Sequence, residues 1–378
     1  MTEDITIMSR IKSMAYPHLQ KMKYAKLISL FNNESRKPIV KNRILMLSTS
    51  KGKLGGNLLA IKNYLDNNAP DYDIRVITSP DMPEMQELAY ELAVSEFVLV
   101  DDYEPMVYVL SFREGQHLVQ VWHAMGAFKK FGYARETAEK NSLTHKNYTE
   151  AICSSEEIAP IYAKSFGISE DKVKPIGTPR TDVFFDSEYV EKAKERLYEK
   201  EPKLKGKKVV LFAPTFRGNN VNDGSYPEAF IDLDSLSEEL GDEWAIILKL
   251  HPFIKNKPKY TKDSIFDFSG EREINDILFI TDVLVTDYSS VIFENAVIGN
   301  AAVMYAPDLE EYTKGRGFYF DYSDYACGEI VRDKEALSKA ILNADKNDVR
   351  MKEFKNRFVS LCDGNSSKRF VDTILEDR

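Results

Sequence analysis

Short, almost wholly apolar runs with polar or glycine-bearing ends recur along this chain. The first series is RILMLST (43–49), IRVIT (74–78), FVLVDDY (97–103), LVQVWHA (118–124) and AICSS (151–155). Helix-like stretches lie between them, one running to about Tyr64 after Gly52, Gly55 and Gly56, another running through Tyr162. Such runs predict strands buried on both faces, hence a parallel sheet covered by helices. A charged helix (Glu188–Glu201) and a Pro/Lys/Gly stretch (Pro202–Lys208) precede a second series: KVVLFAP (208–214), WAIILKLHP (244–252), DVLVTDYSS (282–290), a helix through Val297, and AAVMYAP (301–307). Helical stretches at 334–344, 350–360 and 367–376 close the chain and suit either domain. The expected class is α/β, with two Rossmann-like doubly wound domains facing a cleft, 39–185 and 186–378. Ligands of open α/β sheets bind outside the carboxyl ends of the strands, so those ends are where chemistry is sought.

Charge changes the picture at the amino terminus. Between Ile5 and Asn33 no acidic residue occurs, whereas Arg10, Lys12, Lys21, Lys23 and Lys26 are interleaved with Ile7, Met8, Ile11, Met14, Leu19, Met22, Leu27, Ile28, Leu30 and Phe31. Residues 1–38 therefore read as an amphipathic helical segment, interrupted at Pro17, that contacts a membrane surface. A helix packed on the protein with its lysines solvated fits the same pattern. The net charge of −9 argues against nucleic acid as a partner. Cys153, Cys327 and Cys362 form no CxxC pair, which disfavours a zinc site or disulfide framework and suits a reducing compartment. No run approaches the roughly 18 apolar residues of a membrane-spanning helix, and the acidic start MTEDITIM lacks a secretory layout. The expected location is the cytoplasmic face of the membrane.

Five motifs sit at the predicted strand ends. VWHAMGAFKKFG (121–132) offers His123 as a general base, Gly126 as a backbone relaxer, and Lys129 and Lys130 for an anion. IGTPRTD (176–182) presents Arg180, a fork-shaped donor suited to phosphate, although a salt bridge with Asp182 is an equally simple role. LFAPTFRG (211–218) ends its strand at Pro214 and leaves Thr215 and Arg217 at the edge. LKLHP (248–252) carries Lys249 and a second strand-terminal histidine, His251, restricted by Pro252. In TDYSSVIFENAVIGN (286–300), Asp287 precedes Ser289 and Ser290, either of which can cap a helix whose first turn would hold an anion, with Glu294 one turn in. Each motif alone is also explained by turns, caps and solvated charges.

The ordered set WHA-x-GA-x-KKFG, CSS, IGTPRTD, FAPTFRG, LKLHP and TDYSSVIFE resembles the CDP-glycerol glycerophosphotransferase family, bacterial enzymes of teichoic acid synthesis, over about residues 40–345. The resemblance implies a glycosyltransferase-B-like pair of domains with the nucleotide held mainly by the second. It implies that His123 takes the acceptor proton and that His251 contacts the donor phosphates. Gly126, Arg180, Pro214, Thr215, Arg217, Lys249, Asp287, Ser289, Ser290 and Glu294 would line the CDP-glycerol site. Many polymerising members have WHGTP where this chain has WHAMG, and many have Asp at Glu294; the WHA-x-GA form and the compact length look closer to the primase branch. Implied partners are CDP-glycerol as substrate, an undecaprenyl-diphosphate-linked acceptor and the membrane surface, with no nucleic acid, no cofactor, no metal and a homo-oligomer possible. Rival readings are a CDP-ribitol or polymerising transferase, a nucleotide-sugar glycosyltransferase or epimerase on the same fold, and an inert scaffold.

Overall fold

The computed structural model describes residues 16–49, 52–136, 138–139, 141–218, 223–271 and 274–376, with only the backbone at Pro80, Gly315 and Arg316. The chain forms two compact units. The first comprises Met1–Met125, Lys130–Asp182 and Asn365–Arg378, and the second Gly126–Lys129 and Val183–Gly364.

The first unit is built on a six-stranded parallel sheet: β1 (Val40–Ser48), β2 (Asp73–Thr78), β3 (Ser95–Val100), β4 (His117–Gln120), β5 (Glu150–Cys153) and β6 (Val173–Pro175), in the order β2-β1-β3-β4-β5-β6. Ile44 to Leu47 are fully buried on both faces, which is why β1 reads as a continuous apolar run. On one face Ile44, Met46, Phe97, Leu99 and Val119 pack against Leu58, Ile61 and Leu65. The last three recur at i, i+3 and i+7, one stripe of the helix Gly56–Asn68. Phe370, Val371, Ile374 and Leu375 complete this core, so the final helical stretch belongs with the first sheet rather than with the second domain.

The amino-terminal segment divides. Residues 16–23 are helical and expose Tyr16, Leu19 and Met22. The helix α1 (Ala25–Glu34) instead buries Leu27 and Phe31 and packs on the helix Met85–Val94, where Gln86 Nε2 donates to Glu34 at 2.6 Å. The second half of the expected membrane segment is thus a packing helix, because its apolar stripe is already covered. Arg10, Lys12, Ile7, Met8, Ile11 and Met14 lie outside the described residues.

The second unit holds β7 (Lys208–Phe212), β8 (Trp244–Leu248), β9 (Ile265–Asp267), β10 (Val283–Thr286), β11 (Ala301–Tyr305) and β12 (Glu329–Val331), all parallel, in the order β12-β11-β10-β7-β8-β9. The chain proceeds outward from β7 through β8 and β9, then restarts at β10 on the other side of β7. That is the doubly wound order, with its switch point between β7 and β10. Val210, Phe212, Ile246, Leu248, Val283, Val285 and Val303 pack against Leu233, Leu236 and Leu240 and against Leu337 and Ile341. Among the described residues no helix is long and apolar enough to cross a membrane.

Candidate functional site

In the first unit the carboxyl ends of the strands carry Ser48, Thr49, Asp101, His123 and the Gly177–Arg180 turn on one edge of the sheet. β4 stops at Gln120, so His123 lies three residues past the strand on a sharply turned loop. Trp122 adopts φ +52°, a left-handed conformation that costs a bulky residue on the order of 1–3 kcal/mol. Two buried amides hold it there. Gln120 Oε1 accepts from Trp122 N at 2.9 Å, and Asn57 Nδ2 donates to Val121 O (2.8 Å) and Trp122 O (3.0 Å). The His123 ring, 40% exposed, sets Nδ1 3.1 Å from Asp101 O and 3.6 Å from Asp102 Oδ1. A carbonyl oxygen only accepts, so Nδ1 carries the proton and Nε2 is the basic nitrogen.

Glu104, fully buried beside this loop, accepts from Thr49 N at 2.7 Å and Thr49 Oγ1 at 2.5 Å. Burial pushes its carboxyl up to about 7 against the opposing pull of those bonds, with Asp101 and Asp102 adding to the rise. Asn57, 2% exposed, reaches across the same edge, where its Oδ1 accepts from Arg180 N at 3.0 Å. Asp182 does not pair with Arg180: its carboxylate accepts from Ser366 N (3.0 Å) and Ser367 N (2.7 Å) and caps the last helix.

In the second unit three neighbouring strands, β8, β7 and β10, deliver Lys249 and His251, Pro214 and Thr215, and Asp287 to Ser290 at their carboxyl ends. His251 is exposed between the rings of Phe216 and Phe253, each 4.7 Å away. Its Nδ1 accepts from Phe253 N at 3.2 Å, which leaves the Nε2 proton as a donor in the neutral ring. Partial desolvation between those rings, then Lys129 and Lys249, push its pKa below the usual histidine value, so the neutral ring predominates at pH 7 among cations that attract an anion. Lys129, in the segment that belongs to this unit, pairs its backbone with Phe318 and sets Nζ 5.6 Å over the Tyr312 ring. Thr215 Oγ1 is buried without a hydrogen-bond partner among the described residues, while Thr215 N donates to Asp287 Oδ1 at 2.7 Å.

The helix after β10, Val291–Ile298, starts beside Ser290, which makes no side-chain cap, while Ser289 Oγ lies a long 3.4 Å from Val291 N. The expected serine capping is therefore weak: Ile292 N and Phe293 N turn back to Ser289 O (3.4 Å) and Ser290 O (3.1 Å), so the helix start offers an anion the positive end of its dipole and the loosely held Val291 N–H. Glu294 is 4% exposed, buried one turn into this helix. Gly126 has φ +64°, and a Cβ there would lie 2.3–2.5 Å from the Phe293 ring, so its glycine is required by packing as well as by the turn.

Arg217 departs from the expected exposed edge. Its guanidinium forks onto Asp308 (Nε 2.6 Å, Nη2 2.8 Å), and Nη1 reaches Asp287 Oδ2 at 2.9 Å and Thr215 O at 2.5 Å. The rings of Tyr226, Phe230, Tyr288 and Tyr312 surround it at 5.0–5.8 Å. With both carboxylates engaged, Arg217 braces Asp287, which in turn holds the Thr215 backbone. Among the described residues no cluster of three or more His, Cys, Asp or Glu could hold a metal ion. Asn57 and Glu104 were not singled out for the site from sequence, because buried polarity carries no local pattern; Lys129 was, but its membership of the second unit through the 126–129 segment was not.

Residues 29–376 match the profile of the family described as CDP-glycerol:poly(glycerophosphate) glycerophosphotransferase. A poly(ribitol-phosphate) polymerase of teichoic acid from Bacillus spizizenii is 38% identical over 89% of this chain and 57% of its own length. The Staphylococcus aureus ribitol-phosphate polymerase TarK is 39% identical over 88% and 68%, respectively. A teichoic acid glycerol-phosphate primase from Bacillus subtilis is 32% identical over 81% and 80%. The chain thus spans 57–68% of the ribitol-phosphate polymerases it matches. The wall teichoic acid polymerase TagF superposes with a TM-score of 0.74 at 22% identity, covering 97% of this chain and 96% of that one. A UDP-GlcNAc 2-epimerase from Neisseria meningitidis gives 0.57 at 13%, covering 89% and 100%, a likeness of fold. Sequence and architecture agree: the chain belongs to the CDP-glycerol:poly(glycerophosphate) glycerophosphotransferase family.

Proposed function

We propose that this protein transfers a polyol phosphate from a CDP-activated polyol to a hydroxyl of a lipid-linked teichoic acid acceptor, releasing CMP. The observation that carries the reading is the convergence of Thr215, Lys249, His251 and the Ser289–Ser290 helix start at the carboxyl ends of β7, β8 and β10, around the switch point of the second sheet. There the donor's phosphates meet the His251 Nε2 proton, Lys249, Lys129 and the positive end of the helix Val291–Ile298. Arg180, Gly126 and Pro214 serve the donor in the same reading. Asp287 and Arg217 act through the Thr215 backbone, and Glu294 through the helix it is buried on.

His123 Nε2 removes the acceptor proton as its oxygen attacks the phosphorus bearing the polyol. The bond from that phosphorus to the CMP oxygen breaks, and CMP departs with the electron pair. Positioning and charge stabilisation suffice for such a displacement, so no cofactor or metal is invoked. Glycerol is the donor polyol suggested by the motif resemblance. The 38–40% identity to ribitol-phosphate polymerases, against 32% to a glycerol-phosphate primase, favours ribitol as a second reading. Whether the chain primes or extends follows from product length. The exposed Tyr16, Leu19 and Met22, with Lys21, Lys23 and Lys26, support membrane contact at the cytoplasmic face.

CMP release is measured with CDP-glycerol, CDP-ribitol and a UDP-sugar, each with and without acceptor. Acceptor-dependent release from a CDP-polyol is expected, abolished in His123→Ala with donor binding retained. Turnover of the UDP-sugar alone, or a His123→Ala variant of near-normal rate, refutes the reading. Cosedimentation of Leu19→Ser/Met22→Ser with anionic vesicles, undiminished from wild type, returns residues 16–23 to a non-membrane role.

A further inference from the structure

A cavity of about 220 Å³ opens within the first unit, lined by Tyr16, Tyr103, Arg135, Glu139, Ser142 and His145 among others. It lies beside the loop of the proposed base. Tyr103 follows Asp102, whose carboxylate faces His123, and its ring packs 5.5 Å from Trp122, the residue before His123. We infer that this cavity binds one polyol-phosphate unit of the acceptor. The inference rests on the transferase reading above.

The chemistry of the walls sets the ligand class. Arg135 is exposed and makes no ion pair among the described residues, so its five N–H donors are available to an anion. Tyr16 and Tyr103, 43% and 38% exposed, present ring surface suited to the carbon skeleton of a polyol or sugar. Ser142 Oγ, 2.6 Å from Thr144 Oγ1, adds hydroxyl chemistry, and both residues are fixed by Tyr133 OH, which donates to their carbonyl oxygens. His145 is 1% exposed and left-handed at φ +63°, with Nδ1 3.2 Å from Tyr148 OH and no hydrogen-bond partner for Nε2 among the described residues. Burial lowers its pKa to about 3, so it adds polarity without charge.

The lining carries one guanidinium, that of Arg135, and one carboxylate, that of Glu139, a balance that suits a singly charged phosphodiester better than a diphosphate. The volume lies below the roughly 300 Å³ at which drug-sized pockets begin, so a single polyol phosphate fits where a nucleotide does not.

The test uses the full chain and a synthetic glycerol phosphate trimer as probe. Its dissociation constant is measured by calorimetry for wild type, Arg135→Gln and Arg135→Lys. In parallel, CMP release yields separate KM values for donor and acceptor. Arg135→Gln should weaken trimer binding and raise acceptor KM about tenfold, the loss of one charge-assisted contact, with donor KM within about twofold. Arg135→Lys should recover part of the loss. No trimer binding by wild type, equal binding by Arg135→Gln, or a shift confined to donor KM overturns the assignment. Failure of every CDP-polyol to react refutes the transferase reading, and the titration still decides whether the cavity holds a polyol phosphate.

Discussion

Asn57 is the residue whose replacement most directly separates the machinery of the first unit from its stability. One buried amide donates to Val121 O and Trp122 O and accepts from Arg180 N, at 2.8–3.0 Å. In Asn57→Asp the acceptor for Arg180 survives, but an oxygen replaces the nitrogen that faced two carbonyl oxygens. In Asn57→Ala all three contacts disappear. Each buried group left without a partner costs about 1–3 kcal/mol, so the alanine variant, which strands three, should lose roughly 3–9 kcal/mol; the aspartate variant strands two and sets a buried carboxylate oxygen against them, so its loss should be comparable. Trp122 then lacks a restraint on its strained left-handed backbone and His123 shifts. A displacement of about 1 Å at a reacting group costs on the order of 100-fold in rate. Chemical denaturation gives stability, and acceptor-dependent CMP release gives kcat and donor KM. Asn57→Asp should lower kcat about 100-fold with donor KM unchanged, whereas Asn57→Ala should also raise donor KM through Arg180. An Asn57→Asp protein that is less stable yet retains wild-type kcat would refute the positioning role.

Glu104 titrates in the folded state at about 7, above its unfolded value, so its contribution is complete below about pH 4.5 and is lost as pH rises through 7. Glu104→Gln, which can keep both Thr49 contacts, should therefore gain stability relative to wild type between pH 5 and 8, by up to about 3 kcal/mol; a pH-independent difference in urea midpoints contradicts this. Gly126→Ala forces a Cβ into the Phe293 ring at a positive φ and should lower Tm by the equivalent of about 1–3 kcal/mol, with an unchanged Tm as the disproof. Arg217→Met leaves Asp287 and Asp308 buried without their cation and should destabilise by about 3–5 kcal/mol. If calorimetric unfolding of Arg217→Met matches wild type, the brace is not structural.

The long apolar strands were legible in sequence because burial on both faces leaves an unmistakable run, as in Ile44–Leu47 and Ala301–Tyr305. β6, β9 and β12 were not, since three residues are too few to show a period. The strand-end histidines were also legible, because each follows a run that stops. Arg217 misled: LFAPTFRG carries no sign that Asp308, ninety-one positions on, will claim the guanidinium. Asn57 and Glu104 were silent for a related reason, since a polar residue buried by distant partners looks like any polar residue in a loop or first helical turn. The amino-terminal segment read as uniformly amphipathic, yet Leu27 and Phe31 had a protein partner, and only the tertiary fold could reveal it.

The chain passes between its two units at four points, after Met125, Lys129, Asp182 and Gly364. A fragment starting at Val183 would lack Phe128, whose ring packs 4.4 Å from Tyr325, and the carbonyl of Ala127 that accepts from Tyr325 OH at 2.6 Å. A fragment ending at Asp182 would leave Ile44, Phe97 and Val119 without Phe370 and Ile374. Recombination between relatives at a single crossover therefore cannot exchange one unit whole. Donor and acceptor preferences, if they reside in different units, should be inherited together unless all four junctions move at once, and a library of such hybrids is best assembled from discontinuous blocks.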